Sequence, residues 1–280
     1  MPPMTIEEAK KIMRRLGPEE QKFVVSISAP LYWELRRRPD GMRSVRNGTA
    51  FFLKTAKATF GVTAAHVIDG PESWHAHCEQ YGPTPLRLAG TRGNSVELPF
   101  DARCVDINLK IDIATFMIPE WEIELIDRTV YTGYQQTWPP PPPERNKGVF
   151  YAGFPAAGTR TQRRNEVVFG AVAGSGIAHS VNERDVMSQM EREYLEPTLG
   201  DGIPPENYHF GGMSGGPMLY VVDAPSGLRL NALAGVIYSG PSTSADPNES
   251  IPGFELFYAR RARFIRDDGF LEHDLWDAIR

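Results

Sequence analysis

The sequence is poor in cysteine, in long apolar runs and in surplus positive charge. Cys78 and Cys104 are the only thiols in 280 residues, too few for the disulfide framework that staples small secreted domains. No apolar run approaches the ~20 residues that span a bilayer, and the N-terminus lacks the positive-then-apolar pattern of a signal peptide. The cytoplasm is therefore the expected compartment, and no membrane partner is expected. A formal charge of −5 gives no reason to expect nucleic acid as a partner. The small basic groups Arg36, Arg37, Arg38 and Arg160, Arg163, Arg164 lie among acidic and turn residues and read as solvated faces. With 41% hydrophobic and 23% charged residues, the composition is that of a globular protein. Its length favours one large domain or two subdomains of about 110 residues each.

Local patterning divides the chain. "TIEEAKKIMRRLG" opens with Thr5, carries Glu8 at capping-box spacing and stops at Gly17, which predicts a short helix within an extension over 1–21. From Lys22 the texture is one of short β-rich runs between Gly, Pro and polar residues, such as "GTAFFLKT", "ATFGVTAAHVI" and "IDIATFMI". This predicts a first β unit over 22–138. Pro139 to Pro143 form a five-proline run that cannot pair in a sheet, so 139–147 is expected to be a stiff connector. The β texture then returns over 148–263, broken at 179–208 by a charged, proline-containing stretch that reads as a long insertion. Phe264, Leu271, Leu275 and Ile279 recur at helical spacing and predict a closing helix over 264–280.

Three segments carry residues that could share a reaction. "VTAAHVI" places His66 after a strand, "KIDIATFMI" places Asp112 before one, and "GGMSGGPML" surrounds Ser214 with Gly211, Gly212, Gly215 and Gly216. A hydroxyl nucleophile needs a base, the base needs an orienting carboxylate, and a developing oxyanion needs N–H donors held in place. Asp106 in "CVDINLK" is the reserve carboxylate, in a more polar setting. "GMSGG" also fits the G-x-S-x-G elbow of α/β-hydrolases, but there the serine precedes acid and histidine and a helix follows. Here only His273 follows, and "PMLYVV" reads as a strand. His75, His77 and Cys78 in "SWHAHCEQ" could offer ligands on one strand face, but no second pair of ligands is apparent nearby. A partly exposed strand is the expectation there, with no metal and no cofactor.

In "GTAFF…VTAAHV", "DIATFMI", "GxSGGP" and "AGVIYSG", in that order, the chain resembles the trypsin-like, chymotrypsin-fold serine peptidases over about Lys22 to Arg263. The resemblance implies an all-β fold of two six-stranded antiparallel β-barrels with the cleft between them, flanked here by the N-terminal and C-terminal helices. It implies Ser214 as nucleophile, His66 as base and Asp112 as orienter, with the N–H groups of Gly212 and Ser214 as the oxyanion hole. It places Tyr208, His209, Phe210, Ile237, Tyr238, Ser239 and Gly240 around the substrate, a protein or peptide. Met213 stands where zymogen-activated members carry an aspartate, so the likeness is closer to bacterial members that form the site without N-terminal cleavage. Tyr238 falls where many members have a serine that supports the aspartate. Ordering of the oxyanion loop by a regulatory protein or by substrate is one further expectation. A silent pseudopeptidase that only binds peptides is the alternative.

Overall fold

The computed structural model describes residues 17–35, 44–132, 138–163, 166–190, 194–197, 208–223, 229–241 and 256–279. The capping box at Thr5 and Glu8, the basic run at Arg36 and residues 198–207 of the expected insertion lie outside them. The fold is mostly β, with two large antiparallel sheets and a separate two-stranded ribbon among the described residues.

The first sheet contains β1 (Ser28–Glu34), β2 (Val45–Lys54), β3 (Thr59–Thr63), β4 (Arg87–Ala89), β5 (Ser95–Glu97), β6 (Cys104–Asn108) and β7 (Ile113–Met117). Their order is β5-β4-β1-β2-β3-β7-β6. The run "AFFL" in β2 is apolar at every position because the strand is buried on both faces: Ala50 and Phe52 join the core of this sheet, while Phe51 and Leu53 face the other half of the molecule. β5 and β6, at the two ends, do not pair among the described residues, so this sheet is open where a closed barrel is expected.

The second sheet does close. β8 (Gly148–Gly153), β14 (Pro217–Asp223), β15 (Arg229–Ser239), β16 (Leu256–Arg261), β12 (Asp185–Met190) and β11 (Val172–Val181) follow one another round a six-stranded ring, with β11 returning to β8. β13 (Glu196–Pro197) pairs on β11, and β9 (Thr159–Arg163) with β10 (Glu166–Phe169) forms a separate ribbon. The ring requires β12, which falls inside the stretch expected to be an insertion. There Val186, Ser188 and Met190 are buried while Asp185, Met187 and Gln189 are half-buried, the period-2 pattern of a strand with one face on a core.

Three other elements depart from expectation. Helix α1 occupies 17–26 and runs past Gly17 and Lys22; Val24 on it and Ile27 just after it are fully buried. "WHAHCEQY" is a helix, α3 (Trp74–Tyr81), whose N-terminus is capped by Ser73 accepting from the Ala76 N–H. The closing helix is confined to α6 (His273–Ala278), because Ile265 pairs with Leu271 as a β-bridge before it. The smaller helices are α2 (Ala65–Ile68), α4 (Phe100–Arg103) and α5 (Glu120–Leu125).

The five prolines lie between β7 and β8 without regular structure. Their stretch is anchored by the Tyr220 hydroxyl donating to the Pro141 carbonyl and by Trp138 Nε1–H donating to Ile265 O at 2.7 Å. Between the sheets a continuous apolar cluster joins Phe51, Phe60, Val62 and Ile113 of the first half to Phe150, Leu219, Leu233 and Phe264 of the second. Each fully buried large side chain there contributes about 1.5–3 kcal/mol. The two sheets are thus fused along one seam, and the site is built on its edge.

Candidate active site

His66 sits on α2, the single helical turn that follows β3. Asp112 ends the β6–β7 connection with a left-handed backbone, φ 61°. Its carboxylate takes two bonds from one residue: the His66 backbone N–H donates to Oδ1 at 2.9 Å and the His66 Nδ1–H to Oδ2 at 2.8 Å. Because a carboxylate only accepts, the tautomer is set and His66 Nε2 is left as the basic nitrogen. The histidine side chain is 41% exposed and the aspartate 16%. The pair therefore lies at a rim, with its acid tucked beneath its base. The reserve carboxylate, Asp106, pairs with His273 instead.

Ser214 reaches the same seam through its backbone. The Thr49 N–H on β2 donates to Ser214 O at 2.8 Å, and Gly215 lies so close that a Cβ there would fall 2.0 Å from Thr49 O, 2.4 Å from Thr63 Oγ1 and 2.9 Å from Ala64 N. Ala64 is two residues before His66. Glycine at 215, with φ +90°, is what permits this approach.

The amides from Gly211 to Gly216 divide clearly. Gly211 N–H donates to His209 Nδ1, Met213 N–H to Phe210 O, Gly215 N–H to Ile237 O and Gly216 N–H to Met213 O. Among the described residues, the N–H groups of Gly212 and Ser214 donate to no protein acceptor. Their directions are nonetheless set. In a trans peptide the C=O and N–H point opposite ways, and the Gly211 carbonyl is held by the Ala156 N–H at 2.6 Å while the Met213 carbonyl is held by the Gly216 N–H at 2.9 Å. Two glycines with positive φ, Gly212 at 101° and Gly215 at 90°, make the consecutive turns that produce this arrangement.

Several residues that fix the site carry no motif. Thr49 is fully buried and forms four bonds: its hydroxyl donates to Gly212 O at 2.8 Å and accepts from Phe154 N at 2.9 Å, its N–H holds Ser214 O, and its carbonyl accepts from the Thr63 hydroxyl at 2.7 Å. Arg260 on β16 is buried, and its Nε–H donates to the carbonyl of Ile111, the residue before Asp112, at 2.6 Å. The same guanidinium pairs with Asp185 at 2.6 Å and lies over the rings of Tyr238 and Trp276 at 4.5 and 4.4 Å. Tyr238 thus touches the support of Asp112 through its ring on Arg260 and its hydroxyl on Asp185, and burial, with Asp185 nearby, pushes its phenol up to about 12.

The remaining expected substrate residues separate into two groups. Tyr208, His209, Ser239 and Gly240 are half-buried or exposed beside the serine loop. Ile237 and Phe210 are buried. Ile237 is fully buried in the barrel core with its carbonyl and amide engaged by Gly215 and Gly216, and Phe210 packs on Phe257 at 5.7 Å between ring centroids. In α3, His75 pairs with Asp101 at 2.9 Å and His77 is buried. Among the described residues no cluster of His, Cys, Asp or Glu is arranged to hold a metal, and no helix is long and apolar enough to cross a membrane. Neither a protein-family model nor a curated protein matches the chain.

Proposed function

We propose that the protein is a serine endopeptidase with a two-lobed, chymotrypsin-like architecture, acting through Ser214, His66 and Asp112 on peptide bonds. The observation that carries this reading is the pair of amides at Gly212 and Ser214. Among the described residues the serine's own N–H and that of Gly212, two residues before it, donate to no protein acceptor, while the carbonyls of their two peptide units are held so that both donors have fixed directions. An oxyanion needs donors that are already aimed before charge develops.

In this mechanism Ser214 Oγ attacks the carbonyl carbon of the peptide bond while His66 Nε2 takes its proton. The C–O bond forms as the carbonyl π pair moves onto oxygen, where the Gly212 and Ser214 N–H groups receive it. Asp112 holds the imidazole and stabilises the imidazolium. The proton on His66 then passes to the departing amine, the C–N bond breaks, and water repeats the sequence on the acyl-enzyme. The bonded carbonyls of Gly211 and Met213 favour a hole that is formed without N-terminal cleavage, and buried Met213 offers no partner for a new amine. No cofactor takes part.

The test is labelling of Ser214 by a fluorophosphonate, followed by mass spectrometry of the modified peptide. Labelling of wild type that is lost in His66→Ala is expected. No reaction at Ser214 in folded wild-type protein would overturn the proposal.

A further inference from the structure

Asp112 is held by a loop that answers to the other end of the chain. Asn108, the last residue of β6, wraps the connection to β7: its backbone carbonyl accepts from the Asp112 N–H at 2.7 Å, and its side-chain oxygen accepts from the N–H groups of Lys110 at 2.8 Å and Ile111 at 3.0 Å. Those two bonds fix which end of the amide is oxygen. The Asn108 NH2 group must therefore point the other way, where it meets His273 Nδ1 of α6 at 2.7 Å. An NH2 group only donates, so His273 Nδ1 accepts and its proton sits on Nε2. That proton is donated to Asp106 Oδ2 at 2.8 Å, and the same oxygen accepts from Leu271 N–H at 2.9 Å. Every polar atom in the chain from Asp106 through His273 and Asn108 to the Asp112 amide has one consistent role.

We propose that Asn108 is a positioning residue for the Asp112 carboxylate and that His273 holds Asn108 in that task. The proposal rests on the peptidase reading for its consequence, though the linkage itself is a property of the loop. A left-handed aspartate at φ 61° is disfavoured locally and persists because its surroundings over-determine it. Arg260 secures the loop at Ile111 from the barrel side, and His273 secures it at Asn108 from the C-terminal side. His273 is bonded to Asp106 on β6 and, with Asp69 after α2, Lys110 in the loop and Asp277 on α6, lines a hollow of about 460 Å3 over the Asn108 amide. The histidine side chain is 43% exposed, so exchanging it leaves the core packing alone.

The experiment compares full-length wild type with His273→Phe, which can neither accept from Asn108 nor donate to Asp106, and with His273→Gln, which can restore an acceptor and a donor. The readouts are the maximal rate and half-saturating concentration for fluorophosphonate labelling, the low-field proton resonance of the His66–Asp112 hydrogen bond, and the thermal midpoint. His273→Phe is expected to lower the maximal rate about 10- to 100-fold at unchanged half-saturation, as a misplacement of about 1 Å does. It is also expected to broaden the resonance with little change in midpoint, and His273→Gln should recover part of both. An unchanged rate and resonance in folded His273→Phe overturns the inference and leaves the peptidase reading standing. If wild type is not labelled, the peptidase reading falls, and an unchanged resonance in His273→Phe then overturns the linkage as well. Should His273→Phe not fold, His273→Ala, which admits water beside Asn108, carries the same expectations.

Discussion

Among the described residues, two of the histidine–aspartate pairs match in both distance and exposure. His66 and Asp112 meet at 2.8 Å with side-chain exposures of 41% and 16%; His273 and Asp106 meet at 2.8 Å with 43% and 16%. The pairs differ in the second nitrogen of each ring. Among the described residues His66 Nε2 has no hydrogen-bonding partner, whereas His273 Nδ1 is occupied by the Asn108 amide. Their neighbourhoods differ too: one adjoins a serine loop with two amides that bond to no acceptor among the described residues, the other a hollow lined by Asp69, Lys110 and Asp277. A hydrogen-bonded imidazole and carboxylate are therefore not in themselves a sign of catalysis. Under the proposed function, what marks one pair is an available basic nitrogen on the same seam as Ser214 and the donors proposed for the charge its attack creates.

The comparison is most severely tested by removing Ser214 and members of each pair. Ser214→Ala and His66→Ala are expected to abolish all but the residual ~10³- to 10⁴-fold advantage over water, and Asp112→Asn to lower kcat about 10⁴-fold. Asp106→Asn should stay within the roughly 10- to 100-fold of a positioning role. Peptide hydrolysis assays on the four purified variants decide this, and equal losses in Asp112→Asn and Asp106→Asn would erase the distinction between the pairs.

Next in size are changes beneath the serine loop. Gly215→Ala would set a Cβ 2.0 Å from the Thr49 carbonyl in a backbone at φ +90°, so the loop must shift away from β2. Thr49→Val keeps the shape but removes the hydroxyl that binds Gly212 O and receives the Phe154 N–H. Leaving buried groups unpaired costs about 1–3 kcal/mol, and losing the aim of one oxyanion donor costs about 10²- to 10³-fold in kcat. Denaturant melts and labelling rates measured together check both. Full activity in Thr49→Val would mean that the hole does not depend on the Thr49 hydroxyl, since the Thr49 N–H would still hold Ser214 O.

How far the two pairs could be told apart in the sequence depends on how local their chemistry is. His66, Asp112 and Ser214 sit in short segments whose residue types match those the proposed reaction needs, and the glycines around Ser214 fit the same demand in the backbone. His273 was legible only as part of a closing helix, since its role is defined by Asp106, 167 positions away. Arg260 was hidden in the same way, 149 positions from the carbonyl it binds. The second sheet suffered from a different cause. "DVMSQM" alternates as a strand should, but Ser188 on its inner face and the charged residues around it masked the pattern, so the strand that closes the barrel read as insertion. In "SWHAHCEQY" the Ser73 cap was the helical signal, outweighed by the suggestion of ligands in alternate histidines. Closure of a sheet depends on pairing between distant strands, and for that reason neither the ring of the second sheet nor the open order of the first could be read locally.

A subtler separation of the pairs comes from pH. In the proposed mechanism His66 must be neutral to take the serine proton, so wild-type kcat/KM is expected to rise with pH along a unit-slope limb and then level off. The same unit-slope limb should persist in His273→Phe at a lower plateau. A limb that vanishes in that variant would assign the titration to the wrong histidine.

The smallest expected effect concerns Tyr238, which stacks on Arg260 and so stands two contacts from the Asp112 loop. Tyr238→Phe keeps the ring over the guanidinium, and kcat should change by no more than a few-fold. Stability at high pH should respond instead. Burial, with Asp185 nearby, raises the folded phenol to about 12 from an ordinary value of 10.0. The fold therefore holds Tyr238 neutral where the unfolded chain would ionise it, so its contribution is complete below pH 10 and is lost as pH rises towards about 12. Tyr238→Phe removes one ionising group from the unfolded state and should flatten the alkaline loss of stability over that window. Part of the slope will remain, because burial also raises the Tyr131 phenol. Urea melts at pH 8, 10 and 11 provide the measurement. An identical slope in wild type and variant, with an unchanged labelling rate, would show that Tyr238 ionises freely and that the cation beneath it holds Ile111 without the stack.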